Sequence, residues 1–385
     1  MIKEVVLLVE SPFVKRDYDR FGVELIEKYF KVRVFDLTPW INPHFWAVRR
    51  ADQVHHLPGY TAINSFSDLK SELDSTNGDL FIDYLSAKPR AEKTRKELKL
   101  RYIPRVAVAW GLLPLPNRNL AQRLTALWRY RTHRHIVAMS WVHRYFSALF
   151  RTEVPPEFLV LTGAAGLELP SAKLARHIWT HTTDYDTYLS LRDLPVEGRR
   201  PYAVYIDEDC AYHTDFIHDH IRPFVTAEKF YPALMQFFKS FEERTGLEVA
   251  IAAHPRSRWD IHSELLAGRT PEYGRTAELI RSAKLAFTHA STSISFAVLY
   301  QVPLVFLTSN EMEDSLYREE VRLRKDYFGA PLVNIDKTDD SSYDLRCLET
   351  VNATAYDAYR ELYVKKIGTP ELPSWEVFAR RIREL

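Results

Sequence analysis

Between Leu247 and Ser309 the chain reads LEVAIAAHPRSRWD and, after a short gap, YGRTAELIRSAKLAFTHASTSISFAVLYQVPLVFLTS. Three apolar runs in this stretch, Val249–Ala253, Leu285–Thr288 and Leu304–Leu307, have the length and continuity of buried parallel strands. Two of them end in polar clusters. His254-Pro255-Arg256 follows the first, and His289-Ala290-Ser291-Thr292-Ser293 follows the second. Ligands of open α/β sheets bind at the carboxyl ends of strands. The second cluster also opens a helix, where outward-facing N–H groups favour an anion. A histidine, an arginine and three hydroxyls at successive strand ends predict a phosphate cradle. The plainer alternatives are a buried strand-end histidine at His254 and a simple helix cap at Ser291–Ser293.

Upstream, Leu194–Pro201 mixes Pro, Gly and charge and reads as a linker. A strand at Tyr202–Ile206 follows and runs into Asp207-Glu208-Asp209-Cys210-Ala211-Tyr212-His213-Thr214-Asp215. Adjacent acids at a strand end repel one another, and burial raises their pKa, which suits acid/base or nucleophilic work. The alternative is a solvated turn with a helix cap. Phe230–Thr245 is an amphipathic helix ended by Gly246. Thr276 is the expected cap of a short helix, with Glu278 in its first turn as either a helix-start charge or a ribose contact. A polar helix is expected from Glu311 to Lys325, then a last strand at Pro331–Ile335. Helices are expected at Ala353–Lys366 and Trp375–Leu385.

The first half repeats the same grammar. A strand at residues 2–9 leads to the polar loop Ser11–Asp17, a helix at Tyr18–Phe30 and a strand at Lys31–Leu37. This is the start of a doubly wound domain. Further strands are expected at Gln53–Leu57, Leu80–Leu85, Val106–Trp110 and Glu157–Thr162, and helices at Ser65–Asp74 and Arg90–Leu100. The loop carrying Ser11, Lys15, Arg16 and Asp17 falls at the carboxyl edge of that sheet. It is either a ligand-facing loop or an ordinary turn. Gly163 follows the Glu157–Thr162 strand in a small-residue loop that admits close approach of a ligand or another backbone, with Glu168 nearby. His181–Leu191, HTTDYDTYLSL, is rich in His and Asp. Its spacing matches no strong metal motif, so a structural or cleft-edge role is expected and no metal.

At 385 residues the chain is long enough for two domains of roughly 100–200 residues each. We expect residues 1–194 as the first, 195–351 as the second, and 352–385 as C-terminal helices returning to the first. The balance of 52 basic and 51 acidic residues argues against a nucleic-acid partner. Two cysteines, Cys210 and Cys347, suit a reducing compartment. No apolar run approaches the ~20 residues of a membrane span, and the N-terminus lacks a signal-peptide cleavage pattern. The arginine-rich aromatic stretch 117–150 is expected to be a long helix with either a solvated basic face or a peripheral membrane contact. A cytoplasmic protein is expected, with any membrane seat on the inner face of the bacterial inner membrane.

The acidic segment Asp207-Glu208-Asp209, the His254-Pro255 pair and Ser291-Thr292 resemble, in order and spacing, the motifs of bacterial sialyltransferases of the GT-B fold. Asp209-Cys210 stands where those enzymes carry a glycine. A further resemblance is to the retaining β-Kdo transferases of capsule and O-antigen assembly. It rests on SPFVKRDYDRFG, HTTDYDTYL, YIDEDCAYHTDF, AAHPRS and FTHASTSISFAVLYQVPLVFLT. It implies two Rossmann-like domains facing a cleft, a CMP-Kdo donor (Kdo is 3-deoxy-D-manno-octulosonic acid), a glycan or glycolipid acceptor, and no cofactor.

The resemblance also implies roles. Asp207 becomes the candidate nucleophile, and Glu168 or Glu208 takes the acceptor's proton. His254, Pro255, Arg256, His289, Ser291, Thr292, Ser293 and Glu278 hold CMP. Ser11, Lys15, Arg16, Asp17, Gly163 and His213 contact acceptor or sugar. An inverting CMP-sialic acid transferase and a non-enzymatic nucleotide-sugar-binding scaffold are the competing readings.

Overall fold

In the computed structural model, residues 2–384 are described except 49–54, 56, 77, 87, 115–153, 196–197, 199, 219–221, 316 and 338–349. The described chain divides into two compact units. One takes residues up to 112, 154–186 and 361 onward; the other takes 113–114 and 187–360. Among the described residues the crossings fall at Leu112/Leu113, Asp186/Thr187 and Arg360/Glu361. The expected boundaries are 194 and 351; the last two of these crossings lie within helical segments, Thr183–Leu191 and the one that continues from Ala353–Tyr359 into a π-helical turn at Arg360–Val364. The basic segment 117–150 and most of the expected strand at Gln53–Leu57 lie outside the described residues.

The first unit is a seven-stranded parallel sheet: β1 (Glu4–Val9), β2 (Lys31–Asp36), β3 (Tyr60–Ala62), β4 (Leu80–Asp83), β5 (Arg105–Ala109), β6 (Phe158–Leu161) and β7 (Arg176–Trp179). Their order is β3-β2-β1-β4-β5-β6-β7. Winding reverses between β1 and β4, so the loops after those strands flank the switch point where ligands of such sheets bind. β1 is buried throughout. Val5, Leu7 and Val9 pack with Trp375, Phe378 and Ile382, while Val6 and Leu8 pack with Leu69, Leu73 and Leu98. The period of two thus feeds two cores, one of them closed by the C-terminal helix Ser374–Arg383.

That helix explains a departure from expectation. Tyr18–Phe30 is two short helices, Lys15–Arg20 and Val23–Glu27, rather than one. Gly22 between them sits at φ +57, and a Cβ there would lie 2.2 Å from the Trp375 ring. The indole takes the space and donates to the carbonyl of Arg20 (2.9 Å).

The second unit is a five-stranded parallel sheet: β8 (Tyr202–Ile206), β9 (Glu248–Ala252), β10 (Leu285–Thr288), β11 (Leu304–Thr308) and β12 (Leu332–Asn334), in the order β12-β11-β10-β8-β9. Its switch point lies between β8 and β10. Helix Ala227–Thr245 lays Phe230, Leu234, Phe237, Phe238 and Phe241 against Tyr205, Phe287 and Val305. Gly246, at φ +71, ends it in the left-handed conformation that glycine adopts without penalty. The expected polar helix Glu311–Lys325 is two helices, Asn310–Glu313 and Tyr317–Phe328. Arg275, not Thr276, holds the cap position of helix Thr276–Ser282.

Candidate functional site

β8 delivers Asp207 to the carboxyl edge of the second sheet, at the switch point. Its side chain is 3 % exposed as a residue and accepts three N–H groups. Oδ1 accepts from the Asp209 backbone (2.9 Å). Oδ2 accepts from the His254 backbone (3.1 Å) and from the Trp259 indole (2.8 Å). Burial pushes its pKa up, the three donors pull it down, and nearby Glu208 pushes it up again; burial prevails. The result is a fixed, weakly solvated carboxylate of raised basicity. Asp209 sits at φ +51, a conformation that favours glycine and that Asp tolerates better than most residues. The loop geometry expected of a glycine is therefore present, with a buried acid in its place.

Glu208 has a different task from the one expected. Its Oε1 accepts from the backbone of His289 (2.8 Å) and Ala290 (2.9 Å) and from the Thr288 hydroxyl (3.3 Å), and Oε2 accepts from the Tyr317 hydroxyl. A carboxylate saturated by four donors ties the loop after β8 to the loop after β10. It is placed as a strut, not as a proton acceptor. It also occupies the first backbone N–H groups after β10, so an anion there depends on the donors further along.

His289 is likewise turned inward. Its Nδ1 lies 2.8 Å from the Leu307 carbonyl and its Nε2 3.1 Å from the Tyr205 hydroxyl, with no exposed surface. Burial lowers its pKa and keeps it neutral. The expected nucleotide contact at His289 is corrected: both ring nitrogens serve the core. Ser291, Thr292 and Ser293 stay at the surface of this loop, with the Ser293 backbone donating to the Ser291 hydroxyl (3.2 Å). The helix they precede, Ile294–Leu299, has six residues, so local hydroxyl and N–H groups rather than a helix dipole are what this loop offers. Glu278 is half-buried in the first turn of Thr276–Ser282.

Beside Asp207 the loops after β8 and β9 clasp each other. The rings of His213 and His254 lie 4.7 Å apart. The Arg256 guanidinium donates to the Thr214 hydroxyl (3.1 Å) and lies 3.6 Å from the Asp215 carboxylate. Nδ1 of His254 accepts from the Arg256 backbone and Nδ1 of His213 from the Asp215 backbone, both at 3.2 Å. That assigns the proton of each neutral ring to Nε2. Burial lowers the His213 pKa; Asp215 opposes and Arg256 assists. Pro255 is exposed and fixes the turn between the two functional side chains. His213, expected at a sugar, thus lies with the predicted phosphate ligands.

In the first unit, Ser11–Val14 follows β1 at the switch point, and Lys15, Arg16 and Asp17, expected in that loop, instead form the first turn of helix Lys15–Arg20. Lys15 pairs with Asp19 (2.5 Å), and Arg16 contacts Asp17 (3.3 Å). Asp17 is buried and accepts from the Val14 backbone (3.4 Å), so it holds the turn. Glu168 is exposed at the end of the turn Ala164–Glu168. Gly163 is corrected from a sugar contact to a packing position. A Cβ there would lie 2.2 Å from the Leu362 carbonyl, because the returning chain crosses against it.

The HTTDYDTYL motif serves the same return. His181 Nε2 lies 2.7 Å from the Leu372 carbonyl, Tyr185 donates to Glu371 (2.9 Å), and Asp186 caps the last helix through the Ser374 backbone (2.7 Å) and hydroxyl (2.6 Å). Among the described residues no three His, Cys, Asp or Glu side chains group to hold a metal ion. No described helix is long and apolar enough to cross a membrane.

The chain aligns over 100 % of its length with the calicheamicin glycosyltransferase CalG4 (98 % of that chain, TM-score 0.54, 11 % identity). It does so also with the spinosyn rhamnosyltransferase SpnG (100 % of that chain, 0.53, 12 %) and the glycotransferase of kitacinnamycin (99 %, 0.50, 12 %). The chain has the GT-B fold. No family model and no curated protein matches its sequence. At such identities the likeness establishes the architecture, and function rests on the site. The GT-B frame gives the expected pair of doubly wound domains with a C-terminal helix returned to the first.

Proposed function

We propose that this GT-B chain is a glycosyltransferase that moves Kdo from CMP-Kdo to a surface-polysaccharide or lipopolysaccharide acceptor, with retention through a glycosyl ester of Asp207. The observation that carries this reading is the Asp207 carboxylate, fixed by three N–H groups at the switch point beside His254, His213 and Arg256. Arg256 and the two imidazole Nε2–H groups meet the CMP phosphate, with Ser291, Thr292 and Ser293 as further donors and Glu278 on the ribose. These side chains offset charge on the departing nucleotide, so turnover is expected to survive chelation of divalent metals.

The anomeric carbon passes through an oxocarbenium-like state. Asp207 attacks it as the bond to the phosphate oxygen breaks and the electron pair leaves with CMP. An acceptor hydroxyl then attacks the same carbon, the ester breaks, and the pair returns to the carboxylate. Glu168 is the remaining candidate for the acceptor's proton, since Glu208 is saturated. Ser11, Lys15, Arg16 and Asp17, at the first unit's own switch point, are the proposed acceptor contacts. A peripheral membrane seat at 117–150 would suit a glycolipid acceptor.

The test is incubation with CMP-Kdo and a panel of glycan acceptors, reading CMP release and the anomeric configuration of the product by NMR. Retained configuration supports the reading. An inverted product would mean direct displacement, as in a sialyltransferase. No CMP release from any CMP-activated sugar would leave a binding protein.

A further inference from the structure

The two oxygens of Asp207 are held unequally. Oδ2 carries two donors, the His254 backbone and the Trp259 indole, while Oδ1 carries one, the Asp209 backbone. Trp259 is 4 % exposed, and its ring is fixed edge-on against Tyr231 (5.0 Å, 85°) and by the Tyr273 hydroxyl near its backbone N–H (3.1 Å). An indole so locked cannot follow a moving carboxylate; it defines where Oδ2 sits.

We infer that Trp259 is a positioning residue that makes Oδ1 of Asp207 the attacking oxygen and stabilises charge on Oδ2 when the glycosyl ester breaks down. This rests on the reading of Asp207 as nucleophile. In the first step the Oδ1–anomeric carbon bond forms, and the pair of the broken carbon–oxygen bond leaves with CMP. Oδ2 becomes the ester carbonyl and keeps both N–H donors. In the second step the acceptor oxygen bonds to the anomeric carbon, the ester pair returns to the carboxylate, and the acceptor's proton leaves to water or a base. Negative charge then reappears across Oδ1 and Oδ2, and two preorganised N–H groups receive it. Hydrogen bonds to a carboxylate weaken it as a base and improve it as a leaving group. Losing one therefore slows the second step more than the first.

Trp259→Phe keeps the ring against Tyr231 and removes the donor. Turnover should fall on the order of 10–100-fold, the worth of one hydrogen bond to a charged group. CMP affinity should be unchanged, and the fraction of enzyme carrying covalent sugar at steady state should rise. The acid limb of kcat/KM, which reports the free Asp207 carboxylate, should move to higher pH. The titratable groups around Asp207, namely Glu208, Asp209, Cys210, Tyr205, Tyr231, His213, His254 and His289, keep their identity in the variant. Trp259→His, which retains a ring N–H, should recover part of the rate.

A structural role alone would lower turnover and covalent sugar together, and that result overturns the proposal. So does unchanged turnover in Trp259→Phe while the wild type still forms the adduct. If the variant fails to fold, wild-type protein serves: the indole N–H resonance of Trp259 should shift when the adduct forms, and an unmoved resonance contradicts the role. An absent wild-type adduct combined with full activity in Asp207→Ala would instead remove the underlying reading, and the inference with it.

Discussion

Two clusters in this chain are rich in aspartate and histidine, and they have opposite fates. In the first unit, His181, Tyr185 and Asp186 bind the chain's own return, meeting Leu372, Glu371 and Ser374. In the second, Asp207, His213, His254 and Arg256 hold the loops after β8 and β9 in shape and to each other beside a switch point. The first cluster closes a fold across nearly two hundred residues of sequence. The second holds a carboxylate and two imidazoles in set orientations beside a surface loop of hydroxyls. Residue type does not separate the two. What separates them is the partner: a helix terminus that needs a cap, or a carboxylate whose donors leave it oriented and poorly solvated.

Substitutions sharpen this contrast. Asp207→Ala should lower turnover on the order of 10⁴-fold or more, as loss of a nucleophile does, while leaving CMP binding intact. A smaller loss in a steady-state assay would place the chemistry elsewhere. Arg256→Ala, which removes a charged donor from the proposed phosphate site, should cost on the order of 10²-fold in kcat/KM for the CMP-sugar. Binding of free CMP, read by calorimetry, should weaken alongside.

Asp186→Ala reverses the pattern. It should cost about 2 kcal/mol of stability by uncapping Ser374–Arg383 in denaturant melts, with turnover per folded molecule unchanged. Lost turnover at full stability would bring that cluster into the active site. The smallest effect concerns His213. Burial depresses its folded pKa below the ordinary 6.5. Its contribution to stability is therefore present above 6.5 and lost as pH falls through the folded value. His213→Gln should flatten that acid-side decline in Tm, and an unchanged slope would contradict a buried neutral imidazole.

Much of the second unit was legible in sequence because its strands are continuous apolar runs that end abruptly in polar residues. β8 and β10 have the expected bounds, and Asp207 and His254 stand at strand ends where the pattern put them. β7 was not legible: RHIW has two exposed polar residues and no apolar run. Gly22 was a visible break signal inside a helical pattern, but its reason, the Trp375 ring, arrives from more than three hundred residues away. Glu208 and His289 have side chains suited to chemistry, but both are engaged by neighbouring loops and strands, and only three-dimensional partners reveal that. Trp259 carried a weak signal, an aromatic N–H donor in the same loop as His254. Asp209 carried another, an acid where the resembling motif has glycine, and its positive φ gives that substitution meaning.

A covalent bond between Asp207 and the sugar distinguishes this mechanism from direct displacement. Intact-protein mass spectrometry after incubation with CMP-Kdo, on wild type and Asp207→Ala in parallel, tests it most directly. Wild type alone should gain the mass of one Kdo residue, located at Asp207 by peptide mapping. An adduct of equal occupancy on Asp207→Ala, or product formed at the wild-type rate by that variant, would contradict it.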